Sequence, residues 1–227
     1  MMRELMRRDA PYIREATALL LIDMQRAWLE PGLDPGHPHW GPEHYFYKEV
    51  WQRAVPNQRR LLEAARGARL EVLHVIVRSL TRDGRDRSLD HKMTPLHLAP
   101  DDPRALPVAE LAPLEDEILL SKTSSGVFNS TNLHYLLRNL GIQYLIIAGV
   151  MTDQCVDMAV RDGADLGYRV TCVGDACAAP TRERHENALH AFSGYCWMAE
   201  TETVLARLKS LGKPDIAEGA DRGESIE

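Results

Sequence analysis

No stretch of this sequence holds the roughly 20 consecutive apolar residues of a helical membrane span, so contact with a membrane is not expected. An excess of positive charge is also missing. Against 27 Lys and Arg stand 33 Asp and Glu, a net charge of −6, so there is no basic footprint for nucleic acid. The opening stretch MMRELMRRDAPYIRE is too polar for a secretory signal, which makes the cytoplasm the expected compartment. Cysteine is scarce. Cys155, Cys172, Cys177 and Cys196 contain no CxxC pair, so structural zinc is not indicated, and a cytosolic chain needs no disulfide framework. Internal repeats and an interdomain linker are absent, and 227 residues fit one large domain.

What is present is an alternation of short apolar runs with helical periods. Strands are expected over residues 16–22, 70–77, 118–122, 145–148, 169–173 and 197–200. Helices are expected over residues 45–65, with Pro56 as a division point, and over 130–140, 154–166, 182–192 and 203–211. Residues 1–15 read as an irregular lead-in and 212–227 as a loose charged tail. This order implies a single α/β domain with a mostly parallel open sheet and helices on both faces. Functional sites in such folds lie at the carboxyl ends of strands. Two long loops, residues 30–43 and 78–117, are expected to shape whatever pocket forms there.

The stretch LIIAGVMTDQCV, residues 145–156, organises the rest. A buried strand ends at Gly149, and Thr152 or Asp153 can cap a helix that begins at Gln154 and Cys155. A cysteine at a helix start faces unpaired N–H groups, which stabilise a thiolate and lower its pKa. Cys155 reads either as a nucleophile or as a small buried hydrophobe. Asp23 and Lys122 end two other predicted strands. Singly, the first reads as a helix cap and the second as a surface charge. Together with Cys155 they form a mechanism: the carboxylate takes the thiol proton, the ammonium favours both anions, and the N–H groups of Met151 and Cys155 receive the carbonyl oxygen. Cys172 and Cys177 read as structural thiols, the first in a strand and the second in the loop after it. Asp157 and Arg161 read as an i,i+4 ion pair, and Tyr195 and Trp197 as core or subunit interface.

The motifs LLLIDMQ, SKTSSGVFNSTNL and AGVMTDQCV resemble the isochorismatase-like cysteine hydrolases, and the resemblance runs over about residues 16–208. It implies an Asp23–Lys122–Cys155 triad and a cis peptide between Val150 and Met151. It also implies a homodimer or homotetramer acting on a small molecule without a cofactor. Nicotinamidases of that family bind a metal through an Asp-x-His pair and a further His after the second strand. The corresponding RSLTRDGRDRSLDHK lacks that pattern. The histidines cluster earlier, at His37, His39 and His44, and read as loop residues near the site mouth rather than as a displaced metal site. Members that act on isochorismate, an enol ether, often lack the cysteine, so Cys155 favours amide chemistry. Other features resemble members that hydrolyse carbamoyl and ureido compounds, such as N-carbamoylsarcosine, ureidoacrylate, biuret and triuret. Arg82, Arg85 and Arg87 either fork onto a substrate carboxylate or carbonyl, or pair with Asp83, Asp86 and Asp90 as a solvated face. Phe128 and Asn129, and Gln25 and Trp28 beside Asp23, are further candidates for the pocket lining.

The expected activity is therefore hydrolysis of a small linear amide or ureide through a cysteine thioester. A metal-assisted nicotinamidase and a non-catalytic binding module are the alternatives. A thiol redox protein needs a resolving cysteine beside Cys155, and the sequence has none there.

Overall fold

The structure, a computed structural model, describes residues 7–34 and 40–211. His37, His39 and the charged tail lie outside the described residues. In chain order the elements are β1 (Thr17–Ile22), α1 (Arg26–Leu29), α2 (Tyr45–Glu49), α3 (Val55–Gly67), β2 (Glu71–Val77), α4 (Leu89–Met93), β3 (Ile118–Lys122), α5 (Val127–Ser130), α6 (Leu133–Asn139), β4 (Tyr144–Val150), α7 (Asp157–Asp165), β5 (Arg169–Ala178), α8 (Arg182–Phe192), β6 (Trp197–Ala199) and α9 (Thr201–Ser210). The strands form one parallel sheet in the order β3-β2-β1-β4-β5-β6. This is the α/β architecture expected from the alternation. The order reverses between β1 and β4, so the cleft at their carboxyl ends is the switch point where such folds bind ligands. No described helix is long and apolar enough to cross a membrane.

The continuous apolar runs follow from burial on both faces. In β1, Leu19 and Leu21 join one core, while Ala18, Leu20 and Ile22 join the other. In β4, Ile146, Ala148 and Val150 alternate with Leu145 and Ile147 in the same way. The first core is closed by α3 and α9 through Leu61, Leu62, Val204 and Leu208. The second is closed by Leu133, Leu137, Val160, Ala188 and Phe192. Each fully buried Leu, Ile or Val contributes about 1.5–3 kcal/mol, so the strands are the most expensive places to substitute.

Several boundaries differ from the sequence expectation for physical reasons. Residues 45–67 are helical throughout, and Pro56 is accommodated because a π-helical turn, Val50–Ala54, precedes it and puts the proline in the first turn of α3. The helix expected over residues 130–140 forms as α6, Leu133–Asn139, and a separate short helix, α5, ends at Ser130 just before it. Thr131 is extended between them, and its hydroxyl accepts from the Leu133 N–H at 3.0 Å. Cys177 is in β5 rather than in a loop, because the strand resumes pairing after a register shift and sets Cys177 opposite Gly149. Segment 78–117 carries α4 and two short 3-10 turns, Pro103–Ala105 and Ala109–Leu111.

Candidate active site

Three strand ends bring the chemistry together. Asp23 follows β1 with a left-handed backbone, φ 54°, a conformation that Asp tolerates better than most residues. Its N–H donates to the Val75 carbonyl and its own carbonyl accepts from the Gln25 N–H, both at 2.8 Å, which fixes the turn. Lys122 ends β3 and is 0% exposed. Its ammonium lies 2.9 Å from Asp23 Oδ2, and donates to Cys155 Sγ at 3.3 Å and to the Ser124 carbonyl at 3.1 Å. All three of its N–H donors therefore have acceptors. The other Asp23 oxygen, Oδ1, is buried without a hydrogen bond.

Cys155 is placed by a π-helical turn, Thr152–Val156, between β4 and α7. Neither Thr152 nor Asp153 caps it. The Thr152 hydroxyl is paired with His185 Nδ1 at 2.8 Å, and the Asp153 carboxylate with Arg184. The Gln154 and Val156 N–H groups instead donate to the Met151 carbonyl at 3.1 and 3.3 Å. The Val150–Met151 peptide is cis.

The electrostatics correct the expectation of a lowered thiol pKa. Burial pushes Cys155 up to about 12, and the Asp23 charge adds to the rise against the opposing pull of Lys122. At a site this dry, desolvation outweighs the partial charges of a helix start. The resting sulfur is a thiol. Burial also raises Asp23 above the usual carboxylate range although Lys122 pulls it down, which makes it a stronger proton acceptor than a surface aspartate. Burial works against the Lys122 charge, but the Asp23 carboxylate, with the Cys155 sulfur accepting a hydrogen bond, outweighs it and holds the ammonium protonated.

A cavity of about 70 Å³ opens on Asp23 and Cys155, and its wall includes both of them with Val77, Val150, Met151, Gln154 and Trp28. Asp34, His91, Leu96 and Ser125 complete it, and none of these four was singled out from the sequence. Three of them come from the two long loops expected to shape the pocket. At roughly 10–15 Å³ for each water-sized position, the space suits a molecule of only a few non-hydrogen atoms.

Other candidates are placed elsewhere. Gln25 is buried behind the wall. Its Oε1 accepts from the Val77 N–H at 2.7 Å and Trp28 Nε1 at 3.1 Å, and its Nε2 donates to the Val77 and Ala105 carbonyls, both at 2.9 Å. Every lone pair and proton is used, so Gln25 positions Trp28 and has none left for a ligand. Arg82, with a side chain 85% exposed, pairs with Asp101, and Arg85 pairs with Asp83. The solvated-face reading holds for both, because neither reaches inward. Asp86 instead accepts from the Leu80 N–H and the Thr81 hydroxyl. Arg87 turns back onto its own loop and donates to the carbonyls of Gly84, His91 and Leu96, so it braces two pocket residues from behind. Phe128 stacks on Tyr168 and Asn129 is exposed; the wall takes Ser125 from that segment instead. His44 caps α2, with its Nδ1 accepting from the Phe46 N–H at 3.2 Å and its ring stacked on Trp40. Among the described residues no cluster of His, Cys, Asp or Glu could hold a metal ion. The Asp157–Arg161 pair forms as expected. Trp197 packs on the core beneath Arg207, and Tyr195 is exposed beside Arg161.

Comparisons with known proteins agree with this geometry. A family model described as the isochorismatase domain matches residues 17–203. A probable inactive nicotinamidase of Arabidopsis thaliana is 35% identical over 176 residues, 74% of this chain and 84% of that protein. An N-carbamoylsarcosine amidase of Arthrobacter is 28% identical over 157 residues, 67% of this chain and 55% of that one. Among solved structures, a cysteine hydrolase of Pseudomonas syringae superposes with a TM-score of 0.78 at 25% identity, covering 89% of this chain and 96% of the other.

Proposed function

The chain belongs to the isochorismatase family, and from that premise we propose that it is a cysteine-dependent amidohydrolase that cleaves a C–N bond of a small linear amide, carbamoyl or ureido compound. One observation carries the reading: a buried ammonium holds the Asp23 carboxylate at 2.9 Å and the Cys155 sulfur at 3.3 Å on the wall of a cavity sized for a small molecule.

The steps follow from the resting protonation states. Cys155 is a thiol, so attack on the substrate carbonyl is coupled to transfer of the S–H proton to Asp23. A C–S bond forms, and the carbonyl oxygen becomes an oxyanion received by the N–H groups of Met151 and Cys155. As the oxyanion collapses, the C–N bond breaks. Asp23 returns its proton to the departing nitrogen, which leaves as ammonia or an amine. Water then attacks the thioester, giving a proton to Asp23, and the C–S bond breaks as the thiolate regains that proton. Lys122 keeps its charge throughout and holds both anions in register. No step calls for a cofactor.

The likeness to a protein named as a probable inactive nicotinamidase makes nicotinamide a second substrate to test. Ammonia release should be followed for biuret, ureido acids, simple amides and nicotinamide, with and without EDTA. Release from a linear amide or ureide that survives EDTA is the expected result. Release from nicotinamide alone, lost in EDTA, would replace this reading with a metal-assisted nicotinamidase.

A further inference from the structure

His91 is a buried pocket residue whose ring nitrogens the mechanism leaves unused. Its ring is 1% exposed and lines the cavity. Nδ1 has no hydrogen-bond partner, and Nε2 is a long 3.4 Å from the Ser125 hydroxyl. Buried polar atoms are rarely left unpaired, and one at a cavity wall marks where a ligand atom belongs. The imidazole is held there deliberately. Ser88 caps α4 by accepting from the His91 N–H at 3.2 Å, and Arg87 fixes the His91 carbonyl. Burial, with Lys122 adding its repulsion, pushes the His91 pKa down to about 4, so the ring offers one donor and one acceptor and no charge.

The charges around it point the same way. Asp34 is buried on the cavity wall. The Lys122 charge is already taken by Asp23. Beyond the cavity lies a wider groove of about 630 Å³ that shares Leu96, Ser125 and Gln154 with it. Asp90, Asp153 and Asp157 line this groove, and among the described residues no Lys or Arg lines either space. Asp153 and Asp157 are paired with Arg184 and Arg161, whereas Asp90 makes no ion pair among the described residues.

We propose that His91 and Asp34 form the substrate-selecting end of the pocket, where they hydrogen-bond an uncharged, N–H-rich group such as the distal ureide of a biuret-type compound and turn away substrates that end in a carboxylate. This rests on the amide and ureide chemistry proposed above and narrows it: neutral ureides are favoured over ureido acids. A neutral imidazole and a carboxylate together accept N–H donors, while a substrate carboxylate there would meet the Asp34 charge with no Lys or Arg among the described lining residues.

The test separates binding from turnover. In the Cys155→Ala protein, calorimetric binding of biuret is compared with that of N-carbamoylglycine, a ureide that ends in a carboxylate. Biuret is expected to bind about tenfold or more tighter. Adding His91→Phe, which keeps a flat ring without nitrogens, should weaken biuret about tenfold while the melting temperature holds or rises, since an unpaired buried atom is removed. Asp34→Asn should bring the two ligands to within about threefold of each other. Equal or tighter binding of N-carbamoylglycine, an unchanged biuret affinity in His91→Phe, or no binding of either ligand would each overturn the inference. Failure of the wild-type protein to release ammonia from any amide or ureide would be read separately, as failure of the amidohydrolase reading itself.

Discussion

Replacing Gly149 by alanine should damage both stability and turnover, because Gly149 lies against Ile22, where β1 and β4 lead into Asp23 and the Cys155 turn. It lies in β4 opposite Ile22, at a register shift with β5, and has φ +144°, a conformation that L side chains rarely adopt. A Cβ there would stand 2.2 Å from the Ile22 carbonyl oxygen and 2.7 Å from Ile22 N and Cβ, against an ordinary contact of 3.4 Å or more. The oxygen and nitrogen are backbone atoms and the Cβ is bonded directly to the backbone, so none can swing aside and β1 and β4 must part by about 1 Å. Overpacking costs about 1–3 kcal/mol and the backbone conformation about 1–3 more. Ile22 immediately precedes Asp23, so the displacement passes to the carboxylate. A misplacement of about 1 Å at a reacting group lowers turnover about 100-fold. The assays are urea unfolding and ammonia release, with Gly67→Ala as the control, since a Cβ at Gly67 meets nothing within 4 Å. If Gly149→Ala stays within about 1 kcal/mol of wild type and keeps turnover within a few fold, the close approach does not set the active-site geometry and the reasoning is wrong.

Gln25→Ala should cost about 2–5 kcal/mol in urea unfolding, because it strands the buried Val77 and Ala105 backbone groups and frees Trp28. Arg82→Ala with Arg85→Ala should change stability by less than about 1 kcal/mol and leave KM unchanged in steady-state kinetics, since both side chains make only exposed ion pairs. Acid should weaken the fold in two steps. The His91 pKa is depressed from 6.5 to about 4, so its contribution is complete above pH 6.5 and is lost as pH falls toward 4, about 3 kcal/mol in all. Burial works against the Glu117 charge, but Arg66, the Leu114 N–H and His74 outweigh it and hold its pKa at about 2 rather than 4.5. Its contribution is therefore lost only between pH 4.5 and 2. Urea midpoints of wild type and His91→Gln across pH 4–7 check the first step, which should shrink in the variant but not vanish, since burial also holds His74 and His185 below the usual histidine range.

Much of the fold could be read from the sequence because its elements are periodic and locally consistent. Helix α8, residues Arg182–Phe192, begins and ends where its pattern does. The buried strands β1 and β4 are continuous apolar runs because both faces of the sheet are covered. The Asp23, Lys122 and Cys155 grouping is legible because the first two close predicted strands and Cys155 opens the helix after a third, and strand ends in parallel sheets converge. Other features depend on tertiary partners. β5 continues past Asp175, a residue that argues against a strand, because its carboxylate accepts from the Thr201 N–H and hydroxyl and from Asn57. The thiol pKa went the other way because a local argument about helix starts omits the depth at which Cys155 lies. The loop arginines were ambiguous by nature, since alternating charge fits a binding face and a solvated one equally. Asp34, His91 and Leu96 reach the pocket through loop conformations that no residue period encodes.

The central claim is that Cys155 forms the bond to substrate carbon. Steady-state ammonia release by Cys155→Ala, set against wild type on the same linear amide or ureide, tests it most directly. The account predicts a fall of about 1,000-fold or more, with the variant still folded, since losing a nucleophile removes the whole covalent route. Turnover that survives in Cys155→Ala would contradict the claim and assign the Asp23–Lys122 pair a different chemistry.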